Sequence, residues 1–204
     1  MRTLGVCLLL LLLMAVPVSA LTFTEIGVER YLGSDGETYT LGQALALGWP
    51  EMLAFWRPAL EIHNLGIGGN TSAQMLARFG EALATGAQAI TIGPCCWNDA
   101  AAGVPPATTA ANVRAMILQA QAAGRHVALV EVPPGGQGVD LTAQRGALLA
   151  VAVETCARSV PVWSALNNPD APGSMLGTLR AEGVHPNGEG LRRIAERVAH
   201  SLGW

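Results

Sequence analysis

The stretch from Leu60 to Leu83, LEIHNLGIGGNTSAQMLARFGEAL, decides the architecture. A strand-like run, Leu60–Leu65, passes through a glycine-rich segment into a helical pattern. There Met75, Leu76, Phe79 and Leu83 recur at three- and four-residue steps. Thr71 or Ser72 can cap that helix. The chain repeats this strand–loop–helix unit. Further strand runs lie at Leu21–Gly27, Ala87–Ile92, His126–Val132 and, briefly, Val160–Trp163. Further helical patterns cover Thr108–Ala123, Leu141–Ala157 and about Gly188–Leu202. Strands alternating with helices predict a parallel five-stranded sheet with helices on both faces, a three-layer α/β/α arrangement.

The length, 204 residues, suits one domain. Residues 1–20 read as a signal peptide: Arg2 is the positive start, Val6–Met14 the apolar centre and Val18-Ser19-Ala20 the cleavage site. That apolar run is short for a membrane span, and no second run of its length follows. Residues 21–204 are therefore expected to form a single soluble domain, secreted or periplasmic. Lysine is absent, the formal net charge is −3, and no basic cluster exceeds Arg192-Arg193. This argues against nucleic-acid binding. Past the signal there are three cysteines, Cys95, Cys96 and Cys156, which allow at most one internal disulfide. Cys95-Cys96 end an apolar strand run with no Cys or His near them, and read as small buried hydrophobes. His63 and His126 lie in strand patterns and His200 near the chain end. None has metal-ligand spacing, so no metal is expected.

In a parallel α/β sheet, ligands bind past the carboxyl ends of the strands. Polar residues at those ends therefore carry the functional reading. After the second strand, Gly66, Gly68 and Gly69 allow backbone N–H groups to turn toward a substrate oxygen. The spacing is not that of a dinucleotide fingerprint. After the third, Trp97-Asn98-Asp99 offers an amide donor for an oxyanion, or a plain Asn-Asp turn. Trp97 stands where it can line a pocket. Before the last helix, Glu182-Gly183-Val184-His185-Pro186-Asn187 places a carboxylate three residues ahead of a histidine. A carboxylate that orients a histidine is two-thirds of a nucleophilic triad.

These segments resemble the SGNH hydrolases, also called GDSL esterases and lipases. The resemblance is clearest at Asn64–Phe79, Trp97-Asn98-Asp99 and Gly183–Ala195. It implies the three-layer, flavodoxin-like fold of that family and hydrolysis of carboxylic esters without a cofactor. Carried over by motif, Gly69 and Asn98 are oxyanion donors and His185 is the base. Glu182 stands where the family has Asp; its extra methylene asks the local backbone to adjust.

The first family block, Gly-Asp-Ser after strand one, is not present as such. Two alignments are open. Gly27–Gly33 fits the end of the first strand and preserves two glycines six apart, but puts Glu29 at the nucleophile and Val28 at the Asp. Gly33-Ser34-Asp35-Gly36 is a permuted block with Ser34 as nucleophile, and equally resembles a surface turn. The expected substrates are lipid, small acyl or acetyl-sugar esters. The alternative is a catalytically inactive module on the same fold that holds a glycan or lipid.

Overall fold

The computed structural model describes residues 22–26, 48–57, 59–93, 96–136 and 138–203. The expected signal peptide, Val28, Glu29, Ser34 and Cys95 lie outside them. Five strands form one sheet in the order β2-β1-β3-β4-β5: β1 is Thr22–Ile26, β2 Glu61–Asn64, β3 Ala89–Ile92, β4 His126–Val130 and β5 Arg158–Val160. Every pairing is parallel. Glu25 of β1 is in register with Asn64 of β2 on one side and Thr91 of β3 on the other.

Alternation along the strands builds two cores. Ile90 and Ile92 of β3 and Val127 and Leu129 of β4 face one; Ala89, Ala128, Val130 and Val160 face the other. In chain order the helices are α1 Trp49–Trp56, α2 Ser72–Ala77, α3 Phe79–Ala84, α4 Cys96–Ala101, α5 Pro106–Ala122, α6 Thr142–Thr155, α7 Trp163–Leu166 and α8 Gly188–Leu202. Helices α2, α3, α5 and α6 cover the first face with Met75, Phe79, Val113, Met116 and Leu148. Helices α1 and α8 cover the second with Trp49, Leu53, Leu191, Ile194 and Val198. The fold is the three-layer α/β/α arrangement read from the periodicity.

Several boundaries differ from that reading. The fifth strand ends at Val160, because Pro161 has no N–H for the ladder and Trp163 already opens α7. The helix read over Ser72–Leu83 breaks at Arg78 (φ −107°, ψ 9°), although the apolar spacing runs through both pieces. Asn98 and Asp99 sit on α4, not in a turn. A short antiparallel pair, β6 Arg180–Glu182 and β7 His185–Pro186, precedes α8. Cys96 is buried and free, whereas Cys156, which ends α6 at φ 54°, is disulfide-bonded. Among the described residues no helix is long and apolar enough to cross a membrane.

Candidate active site

The loop after β2 is tied to both ends of α2 by hydrogen bonds. Gly69 has φ +83°, a conformation costly for any residue with a Cβ. No atom lies within 4 Å of where that Cβ would stand, so conformation, not crowding, favours glycine. Thr71 caps α2 by accepting from the Gln74 N–H, and Gln74 returns the bond to the Thr71 N–H at 2.8 Å. Arg78 reaches back from the end of α2. Its Nε donates to Asn70 Oδ1 at 3.0 Å and its Nη1 to the Leu65 carbonyl at 2.7 Å. Burial lowers the Arg78 pKa from its ordinary value, with an opposing pull from Glu81.

Asn98 meets this loop from α4. Its Nδ2 donates to the Asn70 carbonyl at 2.9 Å. An amide nitrogen has two N–H groups. One of them makes this bond. The neighbouring Asp99 is fully buried and heavily bonded. Its Oδ1 accepts from the Ser72 N–H at 2.9 Å, and its Oδ2 accepts from the Ser72 and Thr109 hydroxyls, each at 2.5 Å. Asn112 Nδ2 in turn donates to Ser72 Oγ at 2.9 Å. Trp97 packs against the first core.

The third segment is a hairpin. Glu182 and His185 are direct partners across β6 and β7. Gly183, between them, turns the chain at φ +47°. Asn187 locks the entry to α8. Its Oδ1 accepts from the Gly190 N–H at 3.0 Å, its Nδ2 donates to the Thr178 carbonyl at 3.0 Å, and its own N–H donates to the Leu179 carbonyl at 2.8 Å. In the first turn of α8, hydrogen bonds from Arg192 and Arg193 hold the Glu189 carboxyl down at about 2.

The hairpin is seated by Gly136, in the loop after β4. A Cβ at Gly136 would stand 2.4 Å from the Gly183 carbonyl oxygen and 3.4 Å from Val184 Cγ1. Gly136→Ala must therefore displace the backbone two residues before His185. The expected result is a kcat lowered by roughly 10- to 100-fold, since a displacement near 1 Å can cost that much. Steady-state kinetics beside a melting curve check it; unchanged kcat would show that the hairpin moves without consequence.

Thus the structure brings Gly69 to Asn98, and Glu182 to His185, all beyond the carboxyl ends of β2, β3 and β4. Strand β1 lies between β2 and β3 in the sheet. Ser34 and Glu29 come later in sequence, outside the described residues. Buried Glu131 went unread in the sequence. It accepts from Arg145 Nε at 2.8 Å and from the Trp163 N–H at 2.9 Å, and Arg145 also lies 4.9 Å over the Trp163 ring. With both oxygens committed, Glu131 ties α6 and α7 to the end of β4. Among the described residues no three His, Cys, Asp or Glu side chains group as a metal site.

A sheet edge with this arrangement is that of the SGNH class of ester hydrolases. The sequence profile of the GDSL-like Lipase/Acylhydrolase family matches residues 33–193. Esterase TesA of Pseudomonas aeruginosa is 29% identical over 175 residues, 82% of this chain and 84% of that protein. The crystal structure of TesA aligns with a TM-score of 0.69 at 26% identity, covering 89% of this chain and 97% of that one. A G-D-S-L family protein from Desulfitobacterium hafniense DCB-2 aligns with a TM-score of 0.75 at 22% identity, covering 90% and 100%. The chain belongs to the GDSL-like lipase/acylhydrolase family and is an ester hydrolase by class.

Proposed function

We propose that this protein is an exported hydrolase of carboxylic esters that works through Ser34, His185 and Glu182. The observation that carries the reading is the Asn98–Asn70 hydrogen bond, which ties the Asn98 amide to the residue after Gly69. Ser34 Oγ bonds to the ester carbonyl carbon while its proton passes to His185. The carbonyl electron pair moves onto oxygen, where the Gly69 and Ser34 N–H groups and Asn98 Nδ2 receive it. The tetrahedral species then collapses, the C–O bond to the alcohol breaks, and His185 returns the proton to the departing oxygen. Water repeats the sequence to release the acid. Glu182 keeps His185 in the tautomer that accepts the serine proton. The family-profile match beginning at residue 33 supports the alignment that includes Ser34. The signal-like residues 1–20 support export. Candidate substrates are small acyl, lipid or acetyl-sugar esters, consistent with a relative named as an esterase.

The test is Asn98→Ala on p-nitrophenyl acetate. Loss of one oxyanion donor is expected to lower kcat on the order of 10²- to 10³-fold. Wild-type kcat in this variant would remove the oxyanion reading. The absent Gly-Asp-Ser block favours one rival, an inactive module that retains a glycan or lipid. Covalent labelling of the wild type by a fluorophosphonate separates the two, since an inactive module does not label.

A further inference from the structure

Asp99 is spent on something other than packing. A carboxylate without solvent contact is costly unless donors surround it. Here they come from two other helices: Asp99 is on α4, and its donors are Ser72 at the start of α2 and Thr109 on α5. Contacts of about 2.5–2.7 Å between hydroxyl and carboxylate are charge-assisted and directional. An apolar cluster would pack the helices equally well without fixing their register. The bonded residues are also placed with respect to the site. Asp99 follows Asn98 directly, and Ser72 lies two residues past Asn70, whose carbonyl accepts from Asn98. The α4 helix and the Gly69–Asn70 loop are therefore joined twice, once by Asn98 itself and once beneath it by Asp99. Asn112 steadies the second joint through Ser72 Oγ.

We propose that Asp99 is a positioning residue for ester hydrolysis: its bonds to Ser72 and Thr109 fix the separation of the Gly69 and Asn98 oxyanion donors. The inference rests on the oxyanion reading above. Asp99 does not touch substrate and acts only through the donors it spaces. Its loss therefore affects the transition state, where charge develops on oxygen, more than ground-state binding.

The experiment measures kcat and KM on p-nitrophenyl acetate for Asp99→Asn, Thr109→Val and Thr109→Ser, each alone and with Asn98→Ala. Asp99→Asn keeps the shape and turns an acceptor toward two hydroxyls into a donor. It is expected to lower kcat roughly 10- to 100-fold, as donor misplacement does, with KM within about twofold. Thr109→Val removes one donor and is expected to lower kcat about tenfold, whereas Thr109→Ser keeps the hydroxyl and stays within about twofold of wild type. In the Asn98→Ala background, each further loss shrinks to below about threefold, because one of the two spaced donors is already gone. Three results overturn the proposal: a lowered melting temperature with unchanged kcat, losses of equal size in both backgrounds, or Thr109→Ser as slow as Thr109→Val. If Asp99→Asn does not fold, the Thr109 pair decides. Asn98→Ala separates the two levels. Wild-type turnover there removes the oxyanion reading and Asp99's role with it. A large loss there, with no effect of Asp99→Asn or Thr109→Val, removes the Asp99 role alone.

Discussion

His185→Ala is expected to lower ester turnover on the order of 10⁴- to 10⁶-fold, the range seen when a triad residue that moves the proton is lost. The melting temperature is expected to stay close to wild type. Contacts from residues other than His185 hold the segment. Asn187 caps α8 and bonds to Thr178 and Leu179, and Pro186 packs against Gly190, so near that a Cβ on Gly190 would lie 2.8 Å from Pro186 Cβ. Those contacts persist when the side chain at 185 is cut to a methyl. The half-exposed setting of His185 points the same way, since its removal leaves no core cavity. In the wild type, activity should fall as pH drops through the imidazole range, ordinarily near 6.5. The sign comes from the role: only the neutral ring accepts the serine proton. Near-normal turnover by His185→Ala, with the protein folded, would exclude the triad.

The sheet was legible because its strands end in glycine or polar punctuation and its helices carry long apolar periods. Thr108–Ala123 was read within two residues of the observed Pro106–Ala122. The elements that build the site were harder to see, for a physical reason: they are short. Helix α4 has six residues, too few for a period to show, and it comes after the apolar Gly93-Pro94-Cys95 run that reads as more strand. β6 and β7 have three and two residues. Their pairing is not legible in the sequence, where Glu182–Asn187 shows only a carboxylate three residues ahead of a histidine. Gly69 and Asn98 are candidates that the sequence motifs alone pick out. Asp99 lies in the same motif, where the sequence gives it no role of its own beside the alternative of an Asn-Asp turn. What distinguishes it is a bond to Ser72, 27 residues away, and no local pattern encodes that partner. Arg78 is similar: it sits in an ordinary helical pattern, and only the bonds to Leu65 and Asn70 show it clamping the loop. Ser34 and Glu29 of the first block lie beyond the described residues.

For that block the second large effect is expected. Ser34→Ala should lose fluorophosphonate labelling and ester turnover together, with kcat down on the order of 10⁴- to 10⁶-fold, because no covalent intermediate forms without the hydroxyl. Glu29→Ala should still label. In the sheet β1 lies between β2, which leads into the Gly69 loop, and β3, which leads into the Asn98 helix. Ser34 asks for several extra residues after β1 compared with Glu29, and the family-profile match beginning at residue 33 favours that longer path. If Glu29 instead occupies the nucleophile position, the wild type does not label. Glu29→Ser then recovers slight activity, limited by Val28 where the family carries Asp. A carboxylate facing His185 would also pair with the ring and raise its pKa, which suits holding a ligand better than deprotonating a hydroxyl. Peptide mapping of the labelled wild type decides between them: a label on Ser34 supports the triad, no label supports the binding module, and a label on any other residue refutes both alignments.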